Sequence, residues 1–258
     1  MAADRDILDT SDDAILGGRL TLRQPLEGHR FGHDAILLAA ATAGEPGELA
    51  VELGAGVGAA GLALASRVAG LRLVLVEIDP VLSRLAADNA KRNKLDDRVR
   101  AITCDVEDRN ALAAAGLHGG SVERVLTNPP FHDARRHNVS PDARRRLAHA
   151  SEPGLLTRWL ASAAWLLKPS GSLTLIWRAD EANEVLAALK NDFGAVTVLP
   201  VVPREGVPAI RVLVHAVKGE GGAVTHRPPF ILNEASGRPT ASAEAVLREG
   251  QRLTLVGN

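Results

Sequence analysis

The chain reads as an α/β protein built on a doubly wound, mostly parallel seven-stranded sheet, and three observations carry that reading. Short apolar runs recur between segments of helical composition, the alternation that produces a parallel sheet with helices on both faces. One run, Leu71 to Val76, is nearly continuous in aliphatic residues, as a strand covered on both sides is. The first run, Glu48 to Leu53, leads straight into Gly54-Ala55-Gly56-Val57-Gly58. A glycine-rich turn between a strand and a helix permits a sharp bend and lets a ligand approach the backbone closely.

The elements follow in order. Ala14 to Arg23 has the pattern of a short β-hairpin, with Gly17-Gly18 as its turn. Asp34 to Ala43 is rich in Ala and Leu and predicts a helix, with His33 and Asp34 at its start. Val57 to Val68 is the helix after the glycine turn, and Leu71 to Val76 is the second strand. Pro80 to Asn93 predicts a helix whose proline sits near the start, where a missing N–H costs nothing. Val99 to Thr103, Val122 to Leu126 and Ser172 to Ile176 supply three further strands, with a helix over Leu155 to Leu167 before the last. Glu181 to Lys190 is helical, and Ala195 to Val202 with Ile210 to Val217 forms a closing strand pair. Beyond a flexible break at Lys218-Gly219-Glu220-Gly221-Gly222, the tail carries one predicted helix, Ser242 to Glu249. It is too small for a core of its own and should pack on the main body. The expected organisation is one domain over 1–258: a lead-in (1–46), a Rossmann-like core (47–218) and a C-terminal extension (219–258).

Composition narrows the function classes. The formal net charge of −1 argues neither for nor against a nucleic-acid partner, so any such partner must be held by a local basic patch. The single cysteine, Cys104, excludes an intramolecular disulfide and a thiolate metal cluster. The eight histidines show no ligand spacing, so no metal is expected. Met1 to Thr10 carries three aspartates and no apolar stretch, unlike a secretory signal. No run approaches the roughly 18–20 apolar residues that span a bilayer, and a soluble, cytoplasmic protein without a membrane partner is expected. With three Trp, four Phe and no Tyr, extended stacking on a nucleic-acid strand is not expected. Recognition of one extruded base stays open.

Asn128-Pro129-Pro130-Phe131 closes the strand that starts at Val122. The Asn128 side-chain carbonyl and the Pro129 backbone carbonyl can both accept from an exocyclic NH₂, and Phe131 offers a stacking face. Proline fixes φ, so the carbonyls are aimed before a ligand arrives. The glycine turn is less specific. Gly56-Val57-Gly58-Ala59-Ala60-Gly61 also satisfies the dinucleotide pattern G-x-G-x-x-G, and Glu77 closes the second strand where an acid would accept from ribose hydroxyls. Two features favour a methyl donor over a nicotinamide. Glu52, before the first glycine, suits a cofactor with an α-amino group and a sulfonium better than one with a pyrophosphate. The Asn-Pro-Pro-Phe segment has no natural part in hydride transfer.

Together these motifs resemble the class I S-adenosylmethionine-dependent methyltransferases that act on planar amino nitrogens. The resemblance implies S-adenosyl-L-methionine as cofactor, held by Glu52, Gly54, Gly56, Gly58, Glu77 and Asp105. Asp105, after Ile102-Thr103-Cys104, matches the acid that accepts from the adenine amino group; its bland alternative is an N-cap for the next helix. More narrowly, the chain is similar to the bacterial tRNA(Val) adenine-N6 methyltransferases. The similarity runs through Gly18-Arg19-Leu20-Thr21-Leu22-Arg23-Gln24-Pro25, Gly32-His33-Asp34-Ala35-Ile36-Leu37-Leu38, Arg144-Arg145-Arg146-Leu147-Ala148-His149 and Ala245-Val246-Leu247-Arg248-Glu249-Gly250. It places Asp34 near the methionine end of the cofactor and makes Asn128, Pro129, Pro130 and Phe131 the catalytic segment. Two departures matter: the family often ends this segment in Tyr, and Asn-Pro-Pro-Phe-His also resembles the ribosomal-RNA guanine-N2 enzymes. The release-factor glutamine methyltransferases share the tetrapeptide as well, and a non-catalytic RNA-binding scaffold is a further alternative. Arg135, Arg136, Arg144, Arg145 and Arg146, in the long segment after Phe131, are expected to contact the phosphates of a tRNA substrate.

Overall fold

The computed structural model describes residues 9–27, 30–130 and 154–255. Two strands, β1 (Thr10–Ile15) and β2 (Leu20–Pro25), form an antiparallel hairpin. The main sheet contains β3 (Leu49–Leu53), β4 (Arg72–Glu77), β5 (Val99–Thr103), β6 (Val122–Thr127), β7 (Leu167–Arg178), β8 (Phe193–Val202) and β9 (Arg211–Lys218). Two short strands, β10 (Thr225–His226) and β11 (Phe230–Ile231), complete it. The order is β10-β8-β9-β7-β6-β3-β4-β5, with β11 also paired to β8. Pairing is parallel from β5 through β7, and β9 alone runs antiparallel to both its neighbours. This is the doubly wound sheet expected, enlarged by two short strands from the C-terminal extension.

The helices are α1 (His33–Ala41), α2 (Ala59–Arg67), α3 (Pro80–Arg92), α4 (Arg109–Ala114), α5 (Leu155–Leu166), α6 (Ala182–Leu189) and α7 (Ala241–Leu247). Alternation along the strands divides the core in two. Leu73 and Leu75 of β4 face a cluster built with Leu62 of α2, Leu38 of α1 and Val246 of α7. Val74 and Val76 face the other side, with Leu112 of α4, Leu160 of α5 and Val185 of α6. Each buried Leu or Val of this kind contributes about 1.5–3 kcal/mol relative to exposure.

The differences from expectation have local causes. Helix α2 begins at Ala59 because residues up to Gly58, which has φ +85°, still belong to the turn. Helix α4, given no bounds by the sequence pattern, is short and capped by Asp108, which accepts from the amides of Asn110 (3.0 Å) and Ala111 (2.9 Å). Strand β7 starts at Leu167, directly after α5, instead of Ser172, and its pairing with β6 shifts between Val122 and Arg124. The extension docks through α7, where Ala243 and Val246 are buried, and through the Leu253 amide, which donates to the Ala40 carbonyl at 2.8 Å.

Candidate active site

Leu53 and Thr127 are register partners at the ends of adjacent parallel strands. The Thr127 hydroxyl donates to the Leu53 carbonyl at 2.9 Å and ties those ends together. The first residues beyond them, Gly54 and Asn128, therefore leave the sheet side by side. The glycine turn and the Asn-Pro-Pro segment are brought into one place at the C-terminal edge of the sheet, where open α/β sheets bind their ligands.

The turn is held from below. The amides of Gly54 and Ala55 both donate to the Val76 carbonyl at 2.9 Å. The Gly56 amide donates to Glu77 Oε2 at 2.7 Å, and Glu77 Oε1 accepts from the Asp79 amide at 2.9 Å. Burial raises the Glu77 carboxyl above its ordinary value, opposed by those amides. Gly56 has φ +55°, and a Cβ there would meet nothing within 4 Å. By contrast, a Cβ at Gly61 would lie 2.5 Å from Leu75 and 2.6 Å from Glu52. So the loop is packed shut on its inner side and open at Gly56.

Glu52 belongs to that inner side. It is 4% exposed, and its Oε2 accepts from the Gly61 amide at 2.7 Å. Gly61 is the third residue of α2, whose N-cap, Gly58, has no side chain to offer. The neighbouring strand thus supplies the cap. Burial pushes the Glu52 carboxyl up to about 8, opposed by the hydrogen bond from the Gly61 amide.

Asp105 is exposed, and its Oδ1 accepts from the Glu107 amide at 2.9 Å. The N-cap alternative for Asp105 fails, because Asp108 holds that position. Asp34 lies in the first turn of α1 and pairs with Arg211 Nε at 2.8 Å. Because β9 runs antiparallel, its first residue lies at the same sheet edge as Gly54 and Asn128. No local signal in the sequence pointed to this pair, whose members are 177 positions apart.

Pro129 is buried and Pro130 exposed. Asn128 Oδ1 is buried and has no hydrogen-bond partner among the described residues. A buried acceptor left unpaired costs on the order of 1–3 kcal/mol, and an oxygen so placed can accept from a donor brought beside it. Phe131, Arg135, Arg136, Arg144, Arg145 and Arg146 lie outside the described residues. Among the described residues no group of His, Cys, Asp and Glu is arranged to hold a metal, and no helix is long and apolar enough to cross a membrane.

A doubly wound sheet with a glycine cradle after its first core strand and an Asn-Pro-Pro segment after the neighbouring one defines a Rossmann-like methyltransferase fold. Comparison with known proteins makes this specific: the pattern of the methyltransferase small domain family matches residues 34–202, and the chain belongs to that family. Two Porphyromonas gingivalis proteins named tRNA1(Val) (adenine(37)-N6)-methyltransferase are 29% and 30% identical over 160 residues, 60% of this chain. The match spans 61% of the length of those relatives. A human release factor glutamine methyltransferase is 32% identical over 141 residues, 51% of this chain and 41% of that protein. Among solved structures, a predicted O-methyltransferase from Agrobacterium tumefaciens superposes with a TM-score of 0.72 at 28% identity, covering 86% of this chain and 98% of that one. A Streptomyces coelicolor geranyl diphosphate C-methyltransferase, solved with S-adenosyl-L-homocysteine, shares the fold at a TM-score of 0.51 and 16% identity over 72% of this chain and 75% of that one.

Proposed function

We propose that this protein is an S-adenosylmethionine-dependent methyltransferase of an amino nitrogen, with adenine N6 in tRNA, beside the anticodon of tRNA(Val), as its target. The observation that carries the reading is the unpaired, buried Asn128 Oδ1 next to the glycine cradle. S-adenosyl-L-methionine is the cofactor, and the residues present fit it. Gly56 leaves the cradle open, Glu77 stands beneath it with its carboxylate fixed by two amides, and Asp34 and Asp105 lie at the same edge. When bound, the cofactor supplies an electrophilic methyl group on a sulfonium.

The chain's own contribution is to prepare the nucleophile. An adenine amino group is a poor nucleophile because its lone pair is delocalised into the ring. Acceptance of its N–H bonds by Asn128 Oδ1 and the Pro129 carbonyl favours a pyramidal nitrogen and stabilises the positive charge that develops there. The acceptors are aimed in advance, so no reorganisation is required at the moment of reaction. A base in a loop is the cheapest to extrude, at a cost of about a few kcal/mol.

The tRNA relatives support adenine N6, whereas the human relative supports a second reading, an amide nitrogen of a protein glutamine, which the same acceptors suit. One experiment separates them. The protein is incubated with labelled S-adenosylmethionine and total tRNA or a release factor, and the products are digested and analysed by mass spectrometry. N6-methyladenosine from tRNA is the expected product. N2-methylguanosine, or label only in protein, would reassign the substrate, and no transfer at all would leave a binding scaffold.

A further inference from the structure

Two asparagines, Asn89 of α3 and Asn93, which caps its C-terminus, hold the N-terminal hairpin. Asn93 Oδ1 accepts from the Thr21 amide at 3.0 Å, and its Nδ2 donates to the Thr21 carbonyl at 2.9 Å. Asn89 Oδ1 accepts from the Arg23 amide at 2.7 Å, and its Nδ2 donates to the Arg23 carbonyl at 2.9 Å. The fit is geometric: four residues of helix advance about 6 Å, and two residues of strand advance about 6.6–6.8 Å. The pair of amides thus meets alternate residues along the outer edge of β2.

Asn89 differs from Asn93 in one respect. It is fully buried, and whereas the third bond of Asn93 returns to its own helix, from Nδ2 to the Asn89 carbonyl at 2.7 Å, that of Asn89 goes from Nδ2 to the Val57 carbonyl at 3.0 Å. Val57 lies between Gly56, whose outer side is open, and Gly58, the N-cap of α2. Both donors and the oxygen of the Asn89 amide are thereby engaged, in two bonds toward the hairpin and one toward the cradle. On the hairpin's other side, Gln24 Oε1 accepts from the Phe31 amide at 3.1 Å, close before Asp34. The hairpin is thus bonded both to α3 and to the segment that leads into α1.

We propose that Asn89 is a positioning residue of the cofactor site, fixing the Val57 peptide and coupling the docked hairpin to the glycine cradle; this rests on the assignment of the cradle to S-adenosylmethionine. The peptide that Asn89 holds sets the direction of the Gly56 and Gly58 backbone, so its release lets the turn sample other conformations and lowers the fraction competent to bind. Loss of Asn93 frees the hairpin edge at Thr21 and leaves Val57 held.

The test compares wild type, Asn89→Ser and Asn93→Ser for S-adenosylmethionine affinity by titration calorimetry at 25 °C, with thermal melting alongside. Both variants should melt at lower temperature, because each loses bonds to the hairpin. Asn89→Ser should weaken cofactor binding about tenfold, the scale of one hydrogen bond, and Asn93→Ser should stay near wild type. Equal affinity losses in both, or none in Asn89→Ser, would overturn the role of Asn89. A wild type that binds no S-adenosylmethionine would instead overturn the function assigned to the cradle, and the role of Asn89 with it. Should Asn89→Ser fail to fold, amide exchange on the wild type decides. Coupling is reciprocal, so the cofactor should slow exchange at Arg23 as well as in the turn; protection confined to the turn would refute the proposal.

Discussion

Two strand ends lie side by side in this sheet and are finished in opposite ways. At the end of β3, the amides of Gly54, Ala55, Gly56 and Gly61 all have protein acceptors, on Val76, Glu77 and Glu52. At the end of β6, Thr127 is bonded to its neighbour, and the next side chain, Asn128, leaves a buried oxygen unpaired. The first end is a shape completed without a ligand. The second keeps a buried acceptor without a partner among the described residues. A rigid cradle beside an unsatisfied acceptor is what binding and chemistry respectively ask of neighbouring residues, since only interactions stronger in the transition state accelerate a reaction.

Substitutions at the two ends should therefore separate turnover from affinity. The largest effect is expected at Asn128→Ala: a fall in methyl-transfer rate of about a hundredfold or more, with S-adenosylmethionine affinity nearly unchanged in calorimetry. If affinity falls in parallel with rate, the two ends are not functionally distinct. Glu77→Ala should do the reverse and weaken cofactor binding by about 1.5–3 kcal/mol, the range for a hydrogen bond to a charged group, as an isotherm would show. Gly61→Ala probes the packed inner side, where its Cβ meets Leu75 and Glu52. Overpacking of this kind should destabilise the fold by about 1–3 kcal/mol in urea, whereas Gly56→Ala, facing open space, should cost only about 1–2 kcal/mol of left-handed strain.

The smallest effect is a slope. The Glu52 carboxyl is held near 8, above its usual 4.5. The stability that this contributes is complete below about pH 4.5 and is lost as pH rises through about 8. Glu52→Gln keeps an acceptor for Gly61 and cannot ionise. Urea unfolding between pH 5 and pH 9 should show the variant losing less stability than wild type, by no more than about 1.4 kcal/mol per pH unit. Identical slopes would mean that Glu52 ionises freely in the folded chain.

The parallel core was legible because its strands are short, apolar and regularly interrupted; Val99–Thr103 begins and ends where the pattern says it does. The bounds and the cap of helix α4 were not, since six residues between two turns carry too little periodicity to fix them. The cradle and Asn128 were legible as motifs, but their roles divide along a line the sequence could not draw. Whether Glu52 faces a ligand or a helix N-terminus depends on strand pleat and on Leu75 closing the space around Gly61, which are tertiary facts. Asp34 with Arg211, and Asn89 with Arg23 and Val57, join residues far apart in the chain, and nothing near any of them in sequence announces the partner.

The pair Asn89 and Asn93 has one more consequence. A two-stranded ribbon has two open margins, and an open margin is a template on which another polypeptide can add a strand. The main sheet guards its own rim with the short strands β10 and β11. Among the described residues the hairpin has no such neighbour at Thr21 and Arg23, and side-chain amides occupy those backbone groups in place of a strand. The same contacts that seat the hairpin also cap the margin on which a strand of a second copy could add. A chain stripped of both asparagines should be first noticed, at high concentration, by turbidity.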